Sequence, residues 1–305
     1  MTPFRIHRTT TYVKDLLRGK DMAYVHSIYK NTVNLSIPGD GNEMIALQTY
    51  GSALSPMSLI LGPSEDISTF PYSVGETVSL VQLISLSNAK ITDLKLHGKF
   101  FWDTATLNQL LEQVIETLKK SKKKDGFIAF FPDPDKSDLE LPLLMDAARK
   151  KISQIIKDIY AGTSHQELAD GLSSMIGLGM GLTPSGDDFL TGVLSAFALT
   201  GSKDSLLYLK LSNAIYENMD RTLDISQAFL RLALIDEFSE PILLLQGAEH
   251  MHESADSSSP QNASSTLLSS KDQTAMIARA FGGIGHSSGT DTLCGIYFAT
   301  KYLIK

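Results

Sequence analysis

The stretch from Gly177 to Gly192, which reads GLGMGLTPSGDDFLTG, constrains the fold of this chain more than any other. Alternate glycines, with Gly179 and Gly181 following Gly177, allow positive φ angles and let a ligand approach the backbone closely, at an entropic cost that ordinary loops avoid. An almost wholly apolar run follows from Phe189 to Leu199. The stretch therefore predicts a glycine-rich, ligand-binding loop that leads into a buried helix.

Half of this motif recurs near the end of the sequence. The pattern SGxDxLxG that begins at Ser185 is matched at every fixed position by a pattern that begins at Ser288, again after a glycine-rich turn. The form S-G-x-D matches a capping box, in which the serine accepts from a first-turn amide and the acid reaches back. A single capping box indicates only a helix cap. Two copies flanked by glycines favour paired halves of one site.

The start of a helix leaves unpaired amide groups, which favour an anion. We therefore predict that the two motif helices pack near Gly192 and Gly295, with both N-termini converging on one pocket. The predicted substrate- or phosphate-binding residues of the two turns are Gly179, Gly181, Thr183, Ser185, Gly186, Asp187, Ser287, Ser288 and Gly289. Asp188 and Asp291 are predicted catalytic residues that accept from an amine, amide or hydroxyl. Mg²⁺ binding by these acids through oxygen ligands is the alternative.

Two further residues are candidates for catalysis. The guanidinium of Arg221 is suited to clamp a phosphate or carboxylate, although a surface ion pair is the alternative for a lone arginine. His286 lies inside the second motif and is suited to act as an acid or base near neutral pH, with a structural role as its alternative.

The composition excludes several classes of function. The net charge of −7, without a basic stripe interleaved with aromatics, argues against nucleic acid as a partner. The only cysteine, Cys294, rules out an intrachain disulfide and a thiolate metal cluster, and its apolar surroundings indicate an inert buried thiol. The sequence shows neither a leader nor an apolar stretch long enough to cross a bilayer. We therefore expect a cytoplasmic protein with no membrane partner and no dedicated metal site.

The hydrophobic pattern changes once along the chain. Short alternating runs broken by glycine and proline predict an antiparallel β-rich, barrel-like domain over residues 1–103. From Leu107 onward apolar residues recur at helical spacing, which predicts a mainly helical domain over residues 104–305. One further strand is predicted at Phe127–Phe131. The serine-rich residues 253–270 predict a flexible connector, with a lid as the alternative. The fold class is therefore α+β.

Three motifs together resemble the AllH-like family. They are the stretch at Gly177–Gly192, the Arg221-Thr222 pair with Ser226, and GHSSGTDxLxG near the end. The resemblance covers most of residues 20–305. It implies a subunit of an oxamate carbamoyltransferase in purine and allantoin breakdown, acting with FdrA-like and AllG-like partner subunits. It also implies the small anionic substrates phosphate, carbamoyl phosphate and an oxamate-like acid, adds Ser226 to the binding residues, and requires no redox cofactor.

Two other functions remain open from the sequence. One is a non-catalytic subunit that binds a small anion or serves as the scaffold of an acyl-CoA synthetase-like complex. The other is a Mg²⁺-dependent enzyme acting on acyl or carboxyl groups, which a metal between Asp188 and Asp291 would favour.

Overall fold

The computed structural model describes residues 2–39, 43–98, 101–121, 125–135, 140–247 and 270–304. These residues form two compact units, one comprising Met1–Lys95 with Glu237–Glu240 and the other Leu96–Asp236 with Pro241–Lys305. The division of the sequence at residue 103 into independently folding domains stays a prediction. Of the predicted connector, residues 253–269 lie outside the described residues, and residue 270 begins a helix.

The first unit is a curled, mixed sheet that forms a half-barrel. Its strands are β1 (Phe4–Thr10), β2 (Met22–Ile28), β3 (Thr32–Ile37), β4 (Glu43–Gln48), β5 (Ser58–Leu61), β6 (Thr77–Ser79), β7 (Ile84–Ser85) and β8 (Lys90–Thr92). The order is β6-β2-β3-β4-β5-β1-β7, and β8 also pairs with β1. Short helices α1 (Thr11–Leu16) and α2 (Leu80–Leu83) join the strands.

The alternating apolar residues of these strands bury one shared core, which includes Ile6, Val25, Leu35 and Leu47. Three strand pairs are parallel, namely β1 with β7, β1 with β8, and β4 with β5, and the other pairs are antiparallel. The sheet is thus mixed, whereas the sequence pattern predicted an antiparallel one, and the predicted class, a β-rich barrel-like part followed by a helical part, is confirmed.

The second unit is mainly helical. Its helices are α3 (Thr104–Lys120), α4 (Leu143–Tyr160), α5 (His165–Ser173), α6 (Ser185–Leu199), α7 (Leu206–Glu217), α8 (Asp224–Leu234), α9 (240–247), α10 (Ser270–Gly282) and α11 (Ser288–Phe298), followed by a π-helical turn at Ala299–Leu303. Single 3₁₀ turns occur at Phe127–Ala129 and Met219–Arg221. No helix in the described parts of the chain has the length and apolar character needed to cross a membrane.

The strand predicted at Phe127–Phe131 is wrong. Residues Phe127–Ala129 form a 3₁₀ turn, and the rings of Phe127, Phe130 and Phe131 are all buried. Phe127 packs against Phe189 of α6 with ring centroids 5.5 Å apart. The turn buries consecutive rings against helices, whereas a strand would send alternate side chains to opposite faces.

Helices α6 and α11 cross at the centre of this unit. A Cβ atom on Gly192 would overlap the carbonyl oxygen of Thr292, and one on Gly295 would overlap the carbonyl oxygen of Phe189. Only hydrogen side chains allow such an approach of two backbones, so the predicted packing of the helices near Gly192 and Gly295 is confirmed. This crossing places the N-termini of both helices in one region.

Candidate functional site

The two serine-glycine turns meet in the structure. The hydroxyl oxygens of Thr183, from the first turn, and Ser288, from the second, lie 2.9 Å apart and hydrogen-bond to each other. Both residues are partly exposed, so this pair lies at an accessible face. The expectation that the twin turns converge is therefore confirmed.

The second residue of each motif helix is a glycine that lies against the backbone of the segment before the helix. A Cβ atom on Gly186 would overlap the carbonyl oxygen of Met175, and one on Gly289 would overlap that of Phe281. The amide of Gly186 donates to Leu178 O at 2.8 Å, and that of Gly289 donates to Ile284 O at 3.3 Å. Each motif thus forms a helix–turn–helix unit, with a longer connection in the first (residues 174–184) than in the second (residues 283–287), and each glycine is required by a close backbone contact.

The predicted capping boxes are wrong. Ser185 and Ser288 are the first residues of α6 and α11, after the cap residues Pro184 and Ser287, and neither helix has a side-chain cap. The serines interact across the helix pair instead, because the hydroxyl of Ser185 favours the charged form of Asp291 and that of Ser288 favours the charged form of Asp188. Opposed helix N-termini bring each serine closer to the other motif's acid than a cap position would.

The amides at the start of α6 are largely engaged. Gly186 donates to Leu178, and Asp187 donates to Pro184 O at 2.9 Å. In α11, Asp291 donates its amide to Ser287 O at 2.8 Å. At the accessible face, the hydroxyls of Thr183 and Ser288 are therefore better placed than these amides to meet a ligand.

Asp188 and Asp291 lie behind the hydroxyl pair. Asp291 is fully buried, and its Oδ1 accepts from the amide of Phe127 at 2.6 Å. Asp188 is partly exposed as a residue, but its Oδ2 is buried. Neither Oδ2 atom has a hydrogen-bond partner among the residues that the structure describes.

Burial raises the pKa of both acids. The pKa of Asp291 rises to about 7, although hydrogen bonds from Phe127, Ser185 and Ser287 oppose the rise. The pKa of Asp188 is raised well above its usual range, first by burial and then by the nearby charge of Asp291. The two carboxylates therefore repel each other in a dry environment.

Asp187 is a link between three segments of the chain. Its Oδ1 accepts from the amide of Gly177 at 2.8 Å, and its Oδ2 accepts from the hydroxyls of Thr222 and of Ser226, the latter at 2.6 Å. The side chain is buried, and burial raises its pKa while these donors lower it. Asp187 and Ser226 thus fasten the glycine loop to α8, and their predicted contact with substrate stays a prediction.

The remaining candidates are exposed or partly exposed residues. Arg221 is exposed, and its carbonyl oxygen lies where a Cβ atom on Gly177 would be, so the glycine loop runs against this segment. The side chain of His286 is 83% exposed, with its Nε2 3.3 Å from Asp125 Oδ2. Gly179 and Gly181 have φ angles of 139° and 98°, in the region that favours glycine. The binding and catalytic roles of these residues stay predictions.

Sequence reasoning missed the segment that supports Asp291. Gly126 has a φ of 82°, and a Cβ atom there would overlap Asp291 Oδ1. The amide of the next residue, Phe127, donates a hydrogen bond to Asp291 Oδ1. In the sequence, the Asp125-Gly126 pair predicts a turn, and this turn was the signal for the segment.

A separate cleft of about 590 Å³ opens at the other end of α6. It is lined by His165, Phe197, Asp204 and Tyr302, among others, and by none of the predicted site residues. No group of three or more His, Cys, Asp or Glu residues suited to a metal occurs in the described ranges.

Comparison with known families gives two matches. Residues 175–300 match the family described as oxamate carbamoyltransferase subunit AllH, and residues 6–100 match the AllH family N-terminal domain. Comparisons with curated proteins and with solved structures return no match. The first match contains both glycine motifs and all the candidate site residues, and the second covers the sheet. The chain therefore belongs to the AllH family, whose name describes a subunit of a multi-subunit oxamate carbamoyltransferase.

Proposed function

We propose that this chain is a catalytic subunit that transfers a carbamoyl group between an oxamate-like acid and phosphate. The observation that supports this best is the contact of Thr183 with Ser288, which joins two copies of one helix–turn–helix unit into a single hydroxyl-lined face. The family name supplies the reaction class. The face supplies donors suited to small anions.

The proposed reaction interconverts oxalurate plus phosphate with oxamate plus carbamoyl phosphate. In the direction of oxalurate synthesis, the amide nitrogen of oxamate attacks the carbamoyl carbon, loses a proton, and inorganic phosphate leaves with the electron pair of the broken C–O bond. Such a reaction needs a carboxylate site, a phosphate site and donors to the tetrahedral oxyanion.

We assign the groups of the exposed face to those tasks. The guanidinium of Arg221 clamps the phosphate, because its planar fork matches two oxygen atoms at once. The hydroxyls of Thr183, Ser287 and Ser288 donate to the oxamate carboxylate and to the oxyanion. His286, paired with Asp125 at 3.3 Å, accepts the proton that leaves the oxamate nitrogen.

FdrA-like and AllG-like subunits are the proposed partners. The family is described as a subunit of an enzyme, which supports the presence of protein partners, and the exposed position of Arg221 and His286 leaves room for a partner to close the site. A closed site would exclude water, which would otherwise hydrolyse carbamoyl phosphate.

Binding and turnover test the proposal. Carbamoyl phosphate, oxamate and phosphate are titrated calorimetrically into the purified chain, alone and with the two partner subunits, and oxalurate formation is followed from labelled carbamoyl phosphate. Thr183→Val and Ser288→Ala should each weaken binding about tenfold, which corresponds to about 1.4 kcal/mol for a lost hydrogen bond to a charged group.

A matched substitution provides the control. Thr163→Val changes a threonine beside the separate cleft and should leave binding unchanged. Absence of binding by all three compounds in the complete complex would contradict the proposal. Binding by this chain with turnover that survives loss of His286 and Arg221 would instead assign it a non-catalytic, anion-binding role.

A further inference from the structure

Two buried carboxylates of the helical unit lack the partners that buried charges need. The Oδ2 atoms of Asp188 and Asp291 accept no hydrogen bond, and Asp291 has no exposed surface. A buried polar atom without a partner is costly, and for an ionised carboxylate the cost is much larger. Each of these atoms therefore points to a partner that protein groups do not supply.

The fold places the two carboxylates on one interface. Asp188 precedes Gly192 by four residues and Asp291 precedes Gly295 by four, so each acid lies on the face of its helix that makes the glycine crossing. The contact of Thr183 with Ser288 closes the same end of the helix pair. The acids thus lie near each other, close to both helix N-termini.

No basic side chain among the described residues offsets the charges of Asp188 and Asp291. Within the described ranges, no lysine, arginine or histidine forms an ion pair with either acid. The proposed substrates are themselves anions, and two uncompensated carboxylates behind the binding face would repel them. A cation between the acids and a bound phosphate would offset this repulsion.

We propose that a divalent hard cation, Mg²⁺ or Mn²⁺, binds between Asp188 and Asp291 and bridges them to the phosphate of the substrate. This inference rests on the proposed function for the phosphate. The unpaired Oδ2 atoms are the protein ligands. The hydroxyls of Ser185 and Ser288, each near the opposite acid, add further oxygen atoms to the neighbourhood.

The ligand set selects this class of metal. Mg²⁺ is commonly held by one or two carboxylates together with substrate phosphate and water, whereas structural zinc needs four nitrogen or sulfur ligands. The single cysteine of the chain, Cys294, is buried in the apolar part of α11.

Binding of Mn²⁺ to the metal-free chain is the direct test. The purified chain is stripped with a chelator, titrated with Mn²⁺ and followed by electron paramagnetic resonance, and Mg²⁺ is then added as a competitor. We expect one Mn²⁺ site per chain that Mg²⁺ displaces. Phosphate added to the Mn²⁺-loaded chain should show paramagnetic relaxation of its ³¹P signal.

Three variants locate the ion. Asp188→Asn and Asp291→Asn should each weaken Mn²⁺ binding at least tenfold, because each replaces a charged ligand with a neutral one. Asp204→Asn, an exposed aspartate beside the separate cleft, should bind Mn²⁺ like the wild-type chain. Circular dichroism confirms that each variant is folded.

The outcomes separate this inference from the function on which it rests. The absence of a saturable Mn²⁺ site, or a site that both Asn variants retain, would overturn the proposed cation site. The binding of carbamoyl phosphate would then be judged from its own titration. An Mn²⁺ site present without ³¹P relaxation would overturn the bridge to phosphate. Failure of the proposed function would appear as a saturable Mn²⁺ site in a complex that forms no oxalurate.

Discussion

The two helix–turn–helix halves, α5 with α6 and α10 with α11, have the same construction at most of their matched positions. Each has a glycine after its turn that contacts a carbonyl of the segment before the turn, and each has a glycine at the crossing of α6 and α11. Each also has an acid whose Oδ2 is buried without a partner. The repeated positions are therefore the ones that bring the halves together and form the acid pair.

The halves differ at the position after the turn glycine. In the first half this is Asp187, whose carboxylate holds the amide of Gly177 and the hydroxyls of Thr222 and Ser226. In the second half it is Thr290, whose hydroxyl donates to Ser287 O at 2.7 Å in its own turn. The first half is therefore tied to a third segment of the chain, and the second half is closed on itself at this position.

This difference separates two tasks within the site. Positions that are alike in both halves build a symmetric core of backbone contacts and paired acids. The unlike position fixes one glycine loop against the segment of Arg221 and α8. The segment of Arg221, the proposed phosphate clamp, is therefore held by the first half alone. A substrate whose two ends differ requires such an asymmetric site.

The largest expected effect comes from removing the symmetry-forming glycines. Gly192→Ala and Gly295→Ala should each lower the free energy of unfolding by about 3 kcal/mol or more, because the added methyl group meets backbone atoms that cannot move aside. Similar losses at both positions would show that the halves contribute equally to the crossing. Chemical denaturation monitored by circular dichroism measures the change.

Gly247→Ala is the control for helix propensity. A Cβ atom on Gly247 meets nothing within 4 Å, and this residue lies in α9. Alanine should therefore raise the free energy of unfolding by about 0.5–1 kcal/mol. A loss below about 1 kcal/mol at Gly192 or Gly295 would mean that the helices do not cross there.

The next effect tests the unlike position. Asp187→Ala should cost about 3 kcal/mol, since it leaves the amide of Gly177 and two hydroxyls without their acceptor, whereas Thr290→Ala should cost about 1 kcal/mol for one local hydrogen bond. Denaturation gives both values. Hydrogen exchange should become faster at Gly177 in the first variant and stay unchanged there in the second. Equal costs would remove the proposed difference between the halves.

Much of the fold was predictable from local patterns. Alternation and turn residues identified the β-rich part, and helical spacing identified the second part, because both patterns report directly on which face of an element is buried. The strand predicted at Phe127–Phe131 failed because a short apolar run does not distinguish a strand from a buried turn. The turn is buried because Phe127 packs against Phe189, a residue distant from it in sequence.

The residues of the site were easier to predict from the sequence than the contacts between them. The repeat identified Ser185, Ser288, Asp188 and Asp291, and the crossing glycines followed from their spacing. The serines were assigned to their own helices as caps, yet they interact with the opposite acids. Sequence spacing describes contacts within one helix, whereas these contacts depend on how two helices meet.

A smaller effect of opposite sign tests the paired acids. In chelator-treated buffer, Asp188→Asn and Asp291→Asn should each raise the free energy of unfolding by about 1 kcal/mol, because each removes one of two like charges that are buried together. Asparagine at position 291 retains an oxygen for the amide of Phe127. Thermal denaturation of both variants measures the gain. Destabilisation by both would show that the carboxylates are not in conflict in the metal-free chain.

The smallest effect measures the contact between the halves directly. Thr183→Val, Ser288→Ala and the double variant form a thermodynamic cycle around the 2.9 Å hydroxyl pair, and urea denaturation gives the coupling energy. Since the pair is only partly buried, the coupling should be about 0.5–1 kcal/mol. The same cycle with Thr163→Val in place of Thr183→Val should give a coupling of about zero, because Thr163 lies at the separate cleft. A zero coupling for Thr183 and Ser288 as well would mean that the turns approach each other without interacting, and the single face they are proposed to form would have to be divided into two.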